Sequence, residues 1–123
     1  MQTYTSHISI NYLNNPTSLL VIHDGVDLTW LSELGEYFQY ILDQLPEDFK
    51  KAYHPLSYTI TTDGSEATHI VIFHRYAKTG YELTDAFKWE LTEIFYDQDF
   101  SWDQRPTTFV NEDSLIIVNR GFN

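Results

Sequence analysis

Cysteine is absent from all 123 residues. That excludes a disulfide framework, thiol nucleophiles and thiolate metal sites, and it makes a reducing cytoplasm the expected setting. Charge is missing from one whole segment: the first 23 residues hold no Asp, Glu, Lys or Arg. They do not read as a secretory leader, because a basic opening is lacking and Thr, Ser, Asn and His interrupt every apolar run. No apolar run reaches the roughly 18–20 residues that cross a bilayer. Bases are scarce as well, with 7 Lys and Arg against 18 Asp and Glu and a net charge of −11. Such a surface repels phosphate backbones and anionic lipid alike, so neither direct nucleic-acid contact nor membrane association is expected. Nucleophile elbows, P-loops and dinucleotide fingerprints are also missing. No catalytic set and no cofactor is expected.

What is present fits one domain spanning residues 1–123 with one core. Aromatics make up 16% of the chain, including nine Tyr. A core this small cannot satisfy that many buried hydroxyls, so several Tyr are expected at the surface.

Residues 4–12 alternate, with Tyr4, Ile8, Ile10 and Tyr12 on one side and Thr5, His7, Ser9 and Asn11 on the other, which predicts a strand with one wet face. Asn14-Asn15-Pro16 reads as a turn, and Leu19–Ile22 as a more buried second strand. Asp27 is a plausible N-cap for a helix whose stripe runs Leu28, Leu31, Leu34, Phe38, Ile41, Leu42, Leu45. Gly35 interrupts that helix, and close packing against the sheet would account for it. Pro46 ends the helix or opens a short second one over 47–53. Strands follow at 56–61 and 69–76. A second long helix is expected over about 80–96, capped by Thr79-x-x-Glu82 and carrying Leu83, Phe87, Leu91, Ile94 and Phe95 inward. A hairpin of 107–110 and 115–118 closes the chain.

The order is ββα-ββα-ββ. It predicts an α+β fold: a largely antiparallel sheet of about six strands with two main helices on one face. A shift of 50 residues lays Ile10 on Ile60, Val21 on Val71 and Ile22 on Ile72, hinting at a two-fold repeat.

Two features resemble metal sites without meeting their requirements. His69 and His74 are five apart on one strand and therefore point to opposite faces. Asp97, Asp99, Ser101 and Asp103 have the opening spacing of a calcium loop. Trp102, Arg105 and Thr108 then stand where the loop needs Gly, a ninth-position ligand and a closing Glu. No metal is expected.

The unusual feature is where the acids lie. Residues 24–48 hold seven acids and no base, and residues 82–103 hold seven more with only Lys88. On helices, Glu33, Glu36, Tyr40 and Asp43 fall along one line, extended by Glu47 if the register continues. Glu82, Asp85, Trp89, Glu93 and Tyr96 form a second line, with Asp97 just beyond. Side chains three or four apart are about 5–6 Å apart at Cβ, close to the scale of phosphate repeats. These ten site residues, with Glu47 set aside, therefore form a candidate partner-binding surface that imitates a nucleic-acid backbone, with Tyr and Trp as anchors.

The reading this supports is a non-enzymatic inhibitor that occupies the cleft of a basic, nucleic-acid-handling protein. An immunity protein against a nuclease toxin and a phage-encoded anti-CRISPR or anti-restriction antagonist are the two settings that fit. An alternative is an adaptor, chaperone or homodimeric assembly subunit using a sheet edge or face, since the uncharged first strand lacks protection against pairing. The third is a small enzyme whose site is assembled from distant residues.

Overall fold

The computed structural model describes residues 3–24, 28–63, 66–76, 80–96 and 106–122. Six strands, β1 (Tyr4–Tyr12), β2 (Asn15–His23), β3 (Tyr53–Asp63), β4 (Glu66–Arg75), β5 (Thr107–Val110) and β6 (Ser114–Phe122), alternate with three helices. These are α1 (Leu28–Asp43), α2 (Glu47–Ala52) and α3 (Asp85–Phe95). The strands form one sheet in the order β1-β2-β3-β4-β6-β5. All neighbours are antiparallel except β2 and β3, which run parallel across the connection made by α1 and α2. The α+β architecture expected from the sequence is the one observed.

Local chemistry explains where the elements stop and where the expectations slip. β1 and β2 are joined by only Leu13 and Asn14, both at positive φ (52° and 62°), as the mirror-image hairpin turns require. Pro16 therefore lies inside β2, opposite Asn11, and does not break it. Its missing N–H matters little there, because the ladder from β2 to β3 begins only at Leu20. Pro46 is the N-cap of α2 and not its first residue. α3 begins later than expected: Thr84 caps it, its hydroxyl accepting from the Phe87 N–H at 3.1 Å. Thr79 of the expected capping box and the Asp27 cap lie outside the described residues, as does the loop from Asp97 to Asp103.

The helices all pack on one face of the sheet. From the strands, Ile8, Ile10, Tyr12, Leu19, Val21, Tyr58, Ile60, Val71, Phe73, Leu115 and Ile117 turn toward them. Leu31, Leu34, Phe38, Ile41 and Leu42 meet these from α1, Leu45 from just beyond its end, and Leu91 and Phe95 from α3. Phe49 of α2 is the junction, with rings of Tyr53, Phe73, Tyr81 and Phe87 within 5.1–6.1 Å of it. Tyr12 donates to the Tyr53 carbonyl at 2.7 Å, tying the first hairpin to the α2–β3 junction. The positions paired by the 50-residue shift share environments: Ile10 and Ile60 are buried inward, as are Val21 and Val71, while Ile22 and Ile72 are half-buried on the opposite face.

Candidate functional site

α1 carries the first acidic line. Its apolar stripe faces the sheet, which leaves Glu33, Glu36, Tyr40 and Asp43 exposed, Tyr40 by 60%. The line ends at Asp43, because the helix does. Glu47 belongs to α2, where it pairs with Lys51 at 3.7 Å, so the expected continuation of the register does not occur. Among the described residues, no Lys or Arg forms an ion pair with an acid of α1. The described bases are engaged elsewhere. Lys50 lies over the Tyr12 ring, and Arg75 donates to the Tyr53 hydroxyl and the Tyr81 carbonyl. Lys88 pairs with Asp85 at 3.3 Å.

Where α1 runs beside β1, the outermost strand, an open cleft of about 700 Å³ separates them. Its floor is His7, Ile8 and Ser9 of β1, and its wall is Gly35, Glu36, Gln39, Tyr40 and Asp43 of α1, with Leu31 and Ser32 at one end. Gln39 fixes the helix to the strand. Its side-chain oxygen accepts from the Asn11 N–H at 2.6 Å, and its amide nitrogen donates to the Asn11 carbonyl at 2.9 Å and to the Asp43 carboxylate at 3.0 Å. Gly35 is not demanded by tight packing. A Cβ there would meet Ile8 Cβ at an ordinary 3.8 Å. The missing side chain instead leaves the cleft open at its middle.

The second line divides differently. Asp85, Trp89 and Glu93 lie exposed on α3, Trp89 by 56%, and Tyr96 is half-buried at its C-cap. Glu82 is exposed but precedes the helix, so it does not share the helical line assigned to it. Asp97 lies outside the described residues. None of this group lines the α1 cleft. The two lines therefore sit on different helices, one beside the β1 edge and the other toward β5.

Two of the histidines, His23 and His69, are held inside the fold. His69 is buried and its Nδ1 lies 2.7 Å from the Tyr58 hydroxyl. His74, on the other face, is exposed. His23 is buried with its Nε2 3.0 Å from Ser6 Oγ. Among the described residues, no group of His, Asp or Glu is arranged to hold a metal, and no helix is long and apolar enough to cross a membrane. Burial pushes the Tyr58 hydroxyl well above its ordinary pKa, and burial followed by the Tyr76 hydroxyl does the same to Tyr12.

Sequence reasoning missed the cleft itself. The uncharged stretch 4–12 and the acids of α1 were each visible, but Asn11 and Gln39 are 28 residues apart, and nothing local signals that they meet. No family model, curated protein or solved structure matches the chain.

Proposed function

We propose that this chain is a non-enzymatic acidic binding protein that inhibits a basic, nucleic-acid-handling protein by occupying its cleft. An immunity protein and a phage-encoded antagonist of host defence are the two settings that fit. The observation that carries the reading is the exposed row Glu33, Glu36, Tyr40 and Asp43, which has no described Lys or Arg paired to it. A protein that used these acids only for solubility would gain from interspersed bases on the same helix, since like charges three or four residues apart cost a few tenths of a kcal/mol per pair. An uncompensated row with an exposed Tyr is what a basic target recognises, and complementary charge gives fast, salt-sensitive association.

The test is affinity capture from source-cell extract, followed by binding measurements with the purified partner at two ionic strengths. The expected partner is basic and handles nucleic acid. Its affinity falls with added salt, and Glu36→Lys with Asp43→Lys weakens it without loss of the folded state. Equal affinity at low and high ionic strength overturns the reading.

One observation favours the assembly alternative. On the sheet face away from the helices, Ile70, Ile72, Ile116 and Val118 form a half-buried apolar band, with the exposed Phe109 paired beside Ile116 and with Leu20 and Ile22 beyond Ser57 and Thr59 of β3. No described element covers it. A homodimer joined through that band would be stable to salt and dissociated by Ile72→Lys, which sedimentation distinguishes from the charge-driven reading.

A further inference from the structure

The edge of β1 and the acidic wall of α1 belong to one groove, and its geometry is that of a strand acceptor. The two-residue turn makes Tyr12 and Asn15 the closing hydrogen-bonded pair of the hairpin. Alternation along an antiparallel ladder then turns the backbone N–H and C=O of Tyr4, Ser6, Ile8, Ile10 and Tyr12 toward β2, and those of Thr5, His7, Ser9 and Asn11 toward the open edge. Gln39 demonstrates the second half of this. Its planar side-chain amide engages both backbone groups of Asn11, one as donor and one as acceptor, as a residue of an added strand would. The outward groups of Ser9, His7 and Thr5 continue the row beyond it.

Edge strands are ordinarily guarded by Lys, Pro, bulges or brevity. β1 has none of these. It is nine residues long, uncharged, and in unbroken register with β2. The wall above it is charged. α1 carries three acids and no base, and Glu36 and Asp43 both line the cleft. Seven residues of helix separate them by about 10.5 Å along the axis. Same-side residues of a strand repeat every 6.5–7 Å, roughly, so long basic side chains at alternate positions reach both.

We infer that the groove between β1 and α1 takes an extended basic segment of a partner protein as a seventh strand, its backbone on Ser9, His7 and Thr5 and its Lys or Arg side chains on Glu36 and Asp43. This rests on the reading of the chain as a binder of basic proteins and names how the partner is held. A second copy of this chain is disfavoured as the occupant, because pairing β1 with β1 brings two uncompensated acidic helices together.

The experiment uses the full chain and synthetic nine-residue peptides that alternate Lys and Thr. Two further versions carry N-methyl groups on alternate amides, in one phase or the other, and a control has Glu for Lys. Binding of the Lys peptide is expected to slow amide exchange at Thr5, His7 and Ser9 about tenfold or more. One N-methylated version is expected to lose binding while the other keeps it, and the Glu peptide does not bind. Ser9→Pro removes an N–H that the β1–β2 ladder does not use, and it is expected to weaken the Lys peptide about fivefold to tenfold, with circular dichroism and melting reporting that the fold persists. If both N-methylated peptides bind as well as the parent, or the three amides exchange unchanged, the strand inference is overturned while charge-driven docking on α1 survives. A β1-paired dimer, seen by sedimentation and lost in Ser9→Pro, overturns the choice of occupant.

Discussion

The two edges of this sheet are built in opposite ways. β5 is four residues long, follows a buried Pro106, and pairs only with Leu115–Val118 of β6. Brevity protects it: there is little backbone for a foreign strand to read. β1 has nine residues paired throughout, and among the described residues Gln39 covers the outward N–H and C=O of Asn11. The helices differ in the same sense. α3 carries Asp85 in its first turn, where the helix dipole favours an acid, and pairs it with Lys88. α1 has no acid in its first turn and ends on Asp43, where the dipole disfavours an acid; neither helix has a base in its last turn. The β5–α3 end thus protects its edge by brevity and pairs its first acid, while the β1–α1 end does neither.

The strongest test of this division is Phe49→Ala. Phe49 is fully buried, and it holds the rings of Tyr53, Phe73, Tyr81 and Phe87, which belong to the α3 half of the core. Truncation is expected to cost about 3–5 kcal/mol, read from the urea midpoint. Amide exchange at low denaturant should rise more in α3 than in the β1–β2 hairpin. A uniform rise across both would erase the distinction between the halves.

Alkaline titration separates them by a second route. Tyr12 and Tyr58, against the α1 side, are raised first of all by burial. Tyr81, against α3, is raised by burial and then by Asp48, Tyr53 and Glu90. A raised folded-state value means that each contributes stability in full below the ordinary value of 10.0 and loses it as pH climbs beyond. The melting temperature is therefore expected to fall above about pH 10, and Tyr58→Phe to blunt the fall. Added salt should lower the Tyr81 value by screening the acids and leave the burial-driven rise at Tyr58 unchanged. Ultraviolet absorbance of the phenolate follows both.

Much of the fold was legible because its signals are local. Alternation over Tyr4–Tyr12 and the stripe from Leu31 to Leu45 name their elements directly. Expectation and structure part where the deciding contact is not local. The turn expected at Asn14-Asn15-Pro16 lies at Leu13-Asn14, since a Leu at positive φ leaves no trace in sequence and the tolerance for Pro16 depends on where β3 begins to pair. The capping box expected at Thr79-x-x-Glu82 gives way to Thr84, whose role shows only in its bond to the Phe87 N–H, and Glu82 therefore precedes the helix. For the site, exposure of Glu36, Tyr40, Asp43 and Trp89 followed from lying opposite the apolar stripes. The cleft did not, because it is made by docking α1 along a strand far away in sequence.

Gly35 tests whether that cleft is maintained at a cost. Its helix position has room for a Cβ, so Gly35→Ala is expected to stabilise the fold by about 0.5–1 kcal/mol through helix propensity. The extra methyl enters the cleft and should weaken a strand-adding peptide. Calorimetry of the variant, alone and with the Lys–Thr peptide, reads both. Destabilisation would mean that close packing against Ile8, and not an open groove, explains the glycine.

The smallest effect is the most discriminating. Replacing Asp43 by Asn keeps an acceptor for Gln39 and removes a charge from the wrong end of a helix, so stability is expected to rise by about 0.3–1 kcal/mol at low salt. Replacing Asp85 by Asn on α3 removes a charge from the right end and breaks its pair with Lys88, so stability should fall by a similar amount. Opposite signs in paired urea titrations, converging as salt is added, are what the contrast between the two ends requires. A loss of stability in Asp43→Asn would mean that the carboxylate is needed to hold Gln39 over Asn11. Its place in the row would then be structural, and the proposed recognition of a basic partner would have to rest on Glu33, Glu36 and Tyr40 alone.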